Sequence, residues 1–261
     1  MNRNATHTGP QPSATASIGG LRRFNIIMGS LHAVSATLML VLSNDFSLPV
    51  TAAFADGPPG QSNPTLETLF SIPLGPLMAT FLVLSALGHF VVASPWGYPR
   101  YSGWLRRGIN PARWIEYSLS ASIMIVAIAL LPGITDFNAL IGLFAVNAAM
   151  IFFGWQMELE NEGATRVRWS SFIFGSTLGI IPWVAIGLQI AGAGSDVPTF
   201  VYGIFVTLFV LFNTFALNML LQYAKVGPWR DYLFGERVYM WLSLIAKSLL
   251  AWQIFANTLA G

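Results

Sequence analysis

Lys247 lies roughly a dozen residues into an otherwise apolar run, residues 236–255, near the end of the chain. At about 1.5 Å of helical rise per residue, its amine falls near the middle of a hydrocarbon core about 30 Å thick. An ammonium there costs at least about 3 kcal/mol. Such a cost is met by two chemistries: a Schiff base with an aldehyde, or a buried ion pair. Ser243, four residues earlier, shares the helical face of Lys247 and can hydrogen-bond to it.

Few other ionisable residues are expected inside apolar segments. Glu116 lies in the stretch Arg113-Trp114-Ile115-Glu116, His32 in the first segment and His89 near the end of the second. A carboxylate is the natural partner of a buried cation, and Glu116 is the only well-embedded candidate, so it is expected as counter-ion to whatever Lys247 carries. Its place near the segment's start leaves a second reading, a simple ion pair with Arg113. His32 and His89 fit either helix packing or proton exchange near neutral pH.

The aromatic residues are equally two-sided. Trp183 beside Pro182, Phe212 beside Asn213, and Trp252 serve as packing or interface anchors, or line a slot for a long conjugated ligand. Asn147, Met150 and Gly154 share approximately one helical face. Gly154 either makes room for a ring or allows close helix packing.

These residues must be held by membrane-spanning helices. The chain is 54% hydrophobic and only 9% charged, against about 25% charged residues in soluble domains. Hydropathy and breaker residues give seven segments, near 24–43, 66–93, 111–131, 137–157, 169–190, 198–223 and 236–259. Each reaches about 20 residues, enough to cross a bilayer as a helix. The expected fold class is an all-α seven-helix transmembrane bundle. Residues 1–20 read as a polar, disordered tail and 21–261 as one domain, with a long loop at 44–65 holding the turn signal Gly57-Pro58-Pro59-Gly60. The chain has no cysteine, which excludes disulfides and thiolate metal centres. No metal site, nucleic-acid partner or enzymatic activity is expected.

Charge sets the expected orientation. Arg3, Arg22, Arg23, Arg100, Arg106, Arg107, Arg113, Arg166, Arg168, Lys225, Arg230 and Arg237 all fall on the face where the first segment starts. The other face carries only acids: Asp45, Asp56, Glu67, Asp136 and Asp196. The positive-inside rule puts the N-terminus in the cytoplasm and the C-terminus and the 44–65 loop outside. The protein is expected in the cell membrane.

The motifs resemble those of the heliorhodopsins, the inverted microbial rhodopsin family. The resembling stretches are Ser243-Leu244-Ile245-Ala246-Lys247-Ser248 with Trp252-Gln253-Ile254-Phe255; Arg113 through Ser120; Ser85 through Phe90; Phe212 through Asn218; and Gly235-Glu236-Arg237. The resemblance implies all-trans retinal bound to Lys247 as a protonated Schiff base, with Glu116 as counter-ion. It implies a proton-accepting polar cluster of His32, His89, Ser85 and Ser243. The implied retinal pocket holds Asn147, Met150, Gly154, Trp183, Phe212, Asn213, Trp252, Tyr117 and Ser120. Phe212 stands where ordinary ion-pumping rhodopsins carry Trp, and Ser35 where some family members carry Gln. A homodimer is also implied, with Asp136 near the contact.

A pump needs an ion path on both sides of the Schiff base. The outer halves of the spans are nearly free of ionisable groups, and no second embedded acid is evident in the sequence. The residues therefore favour a sensor over a pump, and the resemblance implies a retinal photoreceptor with a slow signalling photocycle, acting on a cytoplasmic partner. A light-gated or light-driven transporter is the alternative.

Overall fold

A computed structural model describes residues 18–58, 60–61 and 64–259. Of the expected tail, residues 1–17 lie outside the described residues, while Ile18, Gly19 and Gly20 form the first turn of a helix. Pro59, inside the expected turn, also lies outside them. The elements run α1 (Ile18–Leu42), β1 (Ser47–Ala53), β2 (Leu66–Pro73), α2 (Leu74–Ala93), α3 (Tyr98–Arg106), α4 (Pro111–Leu130), α5 (Phe137–Asn161), α6 (Ser170–Ala193), α7 (Thr199–Tyr223) and α8 (Tyr232–Ile254). All the helices but α3 are long and apolar enough to cross a membrane, so the seven expected spans are present among the described residues.

The second span differs from its expected extent. Residues 66–73 are a strand, not the start of a helix. Pro73 has an extended backbone and ends the strand directly before α2, because proline holds its own φ and pushes the residue before it away from the helical region. Strands β1 and β2 pair antiparallel, with an irregularity between Val50 and Thr51. Thr51 N donates to Thr135 O at 2.9 Å, and the two threonine hydroxyls meet at 3.0 Å. The hairpin thus rests on the turn between α4 and α5. The short α3, which apolar patterning does not reveal, connects α2 to α4 on the opposite face. There Arg107 makes a paired contact with Glu162 at the end of α5, at 2.6 and 2.8 Å. This pair keeps the Glu162 carboxyl below its usual range and lifts the Arg107 guanidinium.

Side-chain caps start the helices that matter for the site. Asn110 Oδ1 accepts from Arg113 N at 3.3 Å, ahead of Pro111 in the first turn of α4. Asp136 caps α5 through Ala139 N at 2.8 Å, and Asp231 caps α8 through Leu233 N at 3.0 Å. These acceptors occupy amide donors that no helical carbonyl reaches. Helix α4 is the central column: 67% of its most apolar window is buried, against 22% for α5 and for α7. The chemistry-bearing residues of α4 are therefore enclosed, while α5 and α7 turn much of their surface to lipid.

The core has two characters. Toward the hairpin face it is apolar, built from residues such as Met39, Met78, Phe81, Met124, Ile128 and Leu250. Toward the basic face, polar side chains are threaded among Leu21, Met28, Tyr101 and Met240. Every ionisable group of the candidate site lies from the level of Lys247 toward the basic face.

Candidate functional site

Lys247 is buried in the middle of α8. Its Nζ donates to Glu116 Oε1 at 2.8 Å and to Ser243 Oγ at 2.9 Å, and lies 4.9 Å from the centre of the Tyr117 ring. Ser85 Oγ donates to the same Glu116 oxygen at 2.7 Å. Gly88 leaves room for this carboxylate, since a Cβ there would stand 3.0 Å from Glu116 Cγ. The Glu116 side chain is 14% exposed and that of Lys247 only 3%. A buried cation so placed needs its carboxylate, because one left alone in low dielectric is strongly destabilising.

The alternative pairing of Glu116 with Arg113 does not occur. Arg113 turns away to Glu158 of α5, at 2.5 Å, and to Glu236 of α8. These two acids correct the expectation that Glu116 is the only well-embedded carboxylate: both are buried more deeply than Glu116. They sit near helix ends, where hydropathy reads an acid as interfacial. Trp114, Tyr232 and Asn110 close over them. Their position is on the basic side of Lys247, so the apolar half still holds no buried acid among the described residues.

His32 and His89 come together, which spacing alone does not reveal. Their rings stack at 5.7 Å with 14° between planes. His89 Nδ1 shares a 2.7 Å hydrogen bond with Asn25 Oδ1, and Asn25 Nδ2 reaches the Tyr101 hydroxyl at 3.3 Å. Asn25 and Tyr101 escape a reading of the sequence, because neither type is unusual at a helix end.

An apolar slot of about 850 Å3, its open end included, runs from Lys247 between α4, α5, α6, α7 and α8. Its walls include Trp114, Tyr117, Met150, Gly154, Phe212 and Phe215. Four of the nine expected pocket residues are among them: Tyr117, Met150, Gly154 and Phe212. A Cβ on Gly154 would stand 2.4 Å from the Trp114 ring, so the ring for which Gly154 makes room is that of Trp114.

The other five stand outside the slot wall. Asn147 is buried behind it, donating to Ser122 Oγ at 3.0 Å. Trp183 backs Phe212, with ring centres 5.3 Å apart and planes nearly perpendicular. Ser120 is fully buried one turn from Glu116. Trp252 Nε1 donates to Ser35 Oγ at 3.0 Å, on the α1 side of the bundle. Asn213 is exposed and its amide donates to Phe209 O at 2.8 Å; the helical turn that aims Phe212 inward aims its neighbour outward.

The sequence pattern of the heliorhodopsin family matches residues 21–259. The chain belongs to the heliorhodopsin family. No curated protein sequence matches this heliorhodopsin significantly. Among solved structures, it is similar to a light-driven proton pump from Leptosphaeria maculans, with 12% identity, a TM-score of 0.66, and 93% of this chain and 96% of that one covered. It is also similar to cyanorhodopsin from the cyanobacterium Tolypothrix sp. NIES-4075, with 12% identity, a TM-score of 0.65 and coverage of 94% and 96%. A light-driven proton pump from Coccomyxa subellipsoidea gives 16% identity, a TM-score of 0.63 and coverage of 93% and 99%. At these identities the likeness is one of fold. Family membership implies a retinal chromophore and a place in a membrane. The residues present fit such a group: a buried amine paired with a carboxylate, at the closed end of an apolar slot.

Proposed function

We propose that this heliorhodopsin is a light sensor whose retinal, all-trans in the dark, is bound at Lys247 with Glu116 as counter-ion. The single observation that carries the reading is the 2.8 Å contact between Lys247 Nζ and Glu116 at the end of the slot. Bound retinal supplies an aldehyde carbon for the lysine nitrogen and a polyene that absorbs visible light and isomerises.

The chain's own residues do the rest. Glu116 and Ser243 lie within hydrogen-bond reach of the nitrogen and fix the direction in which it presents a proton. Ser85 holds the carboxylate in place. Trp114, Met150 and Phe212 give the slot an apolar lining, and a low local dielectric strengthens the attraction between the paired charges. The imidazoles that can receive a proton lie on the basic side: His89, hydrogen-bonded to Asn25 and through it to Tyr101, with His32 stacked on His89. This asymmetry favours signalling over pumping. The charge segregation supports a cytoplasmic N-terminus, so that a change at the Schiff-base site reaches a cytoplasmic partner across the basic face. The exposed Leu66 and Phe70 of β2, with Phe137 against Phe70 at 6.0 Å, support a homodimer around this patch, with Asp136 beside it.

Reconstitution with retinal should give a visible absorption band. Illuminated vesicles should show no sustained pH change that a protonophore abolishes. A sustained, protonophore-sensitive change would replace the sensor with a transporter.

A further inference from the structure

The buried charges at the basic end of the bundle do not balance. One guanidinium, Arg113, lies between two carboxylates, Glu158 and Glu236, and all three side chains are 5% exposed or less. The cluster therefore carries one negative charge in excess. An uncompensated buried carboxylate is costly and is relieved by taking up a proton.

The two carboxylates are not equivalent. Glu158 accepts from Arg113, from Asn110 N at 2.7 Å, from Trp114 Nε1 at 2.6 Å and from the Tyr232 hydroxyl at 3.0 Å. Four donors surround its two oxygens. Glu236 accepts from Arg113 and from Asn110 Nδ2 at 2.6 Å. The Tyr232 hydroxyl lies beside both carboxylates and donates to Glu158. The other ionisable groups near Glu236 include Tyr239 of its own helix, Tyr101 of α3, Tyr117 of α4 and Tyr223 of α7. Phenols add no positive charge. Glu236 is thus the member of the cluster left to be neutralised.

Glu236 also shares a cavity with the counter-ion. The cavity, of about 410 Å3 with its open end included, is lined as well by Ser85, His89, Asn25 and Arg113. Its surface is mostly apolar, but these side chains place on it the polar atoms to which a water can hydrogen-bond. The cavity joins the counter-ion to the charge-imbalanced cluster on the basic side.

We propose that Glu236 is the terminal store for the proton that leaves the Lys247 nitrogen in the light. The inference rests on the retinal reading above. The N–H bond on Lys247 breaks, an O–H bond forms on Glu236, and the cluster passes from one net negative charge to none. The proton returns by the same route in the dark. Protonation removes the charge that ties Glu236 to Arg113, loosening the joint between α4 and the start of α8. This joint lies beside the Asp231 cap and the loop on the basic face, which couples the proton's arrival to the surface that a partner meets.

Light-minus-dark infrared difference spectroscopy on the full-length, retinal-loaded protein tests this. A protonated-carboxyl C=O band should rise as the Schiff base deprotonates. It should be lost in Glu236→Gln and kept, at a shifted frequency, in Glu236→Asp. A second readout needs no chromophore: acid titration of the retinal-free protein, followed in the infrared, should lose one buried carboxyl in Glu236→Gln. If Glu236→Gln does not fold, the Glu236→Asp frequency shift decides. A carboxyl band unchanged in both variants overturns the assignment while leaving the retinal reading intact. Absence of any visible band in the parent protein overturns both.

Discussion

Lys247 and Ser85 both donate to Glu116 Oε1, and only the first is charged. Replacing Glu116 with Gln keeps the size and removes the charge that localises positive charge at the lysine nitrogen. The visible maximum should move to longer wavelength; a maximum that stays in place would reduce Glu116 to a packing residue. Lys247 and Glu116 are legible in the sequence because charge in an apolar segment is expensive, so its presence alone announces a use. The residues beside them are less legible. Met150 and Phe212 reach the slot but Asn147 and Asn213 do not, because a rotation of some tens of degrees about a helix axis decides which side chain looks inward. Hydropathy carries no information on that rotation when both faces of a helix are apolar. Glu158 and Glu236 stay hidden for another reason: near a helix end an acid is cheap in water, and only the closure of Trp114, Tyr232 and Asn110 makes theirs a buried pair.

At the scale of elements, α8 carries Lys247, Ser243 and Glu236, so the whole site depends on where this helix begins. Asp231 sets that point by accepting from Leu233 N at 3.0 Å. Losing such a cap costs about 1 kcal/mol, so Asp231→Ala should lower the thermal bleaching midpoint while leaving the dark visible maximum unchanged. A shifted maximum would mean that the cap also positions the site. The helices themselves are readable from apolar length, since a bilayer tolerates little else. The start of the second span is not, because β2 reads Leu-Glu-Thr-Leu-Phe-Ser-Ile-Pro and its apolar residues raise the local hydropathy of the adjoining helix. Proline at position 73 is the available signal, and it points to extended chain before α2. Helix α3 lacks a long apolar run altogether and hides in what reads as a polar loop.

Over the whole molecule, polarity changes from one membrane face to the other. The Lys247 site, the histidine pair and the Arg113 cluster lie from mid-bundle toward the basic face, and the hairpin half is packed with methionine, leucine and isoleucine. This gradient is readable in the sequence as a segregation of arginines, whereas the meeting of His32 with His89 comes only from how α1 packs on α2. The chain contains no cysteine, so a single introduced thiol reports its own side of the membrane. In intact cells a membrane-impermeant maleimide should label Asp56→Cys, in the hairpin loop, and should spare Lys225→Cys, between α7 and α8. The reverse pattern would invert the orientation. The attachment of retinal can be mapped as cleanly, because the chain has only two lysines, Lys225 and Lys247. Borohydride reduction of the retinal-loaded protein, followed by peptide mass spectrometry, should place a stable retinyl group on the peptide containing Lys247 and leave the Lys225 peptide unmodified. A retinyl group on Lys225, or none on either lysine in a protein that still absorbs visible light, would contradict the account.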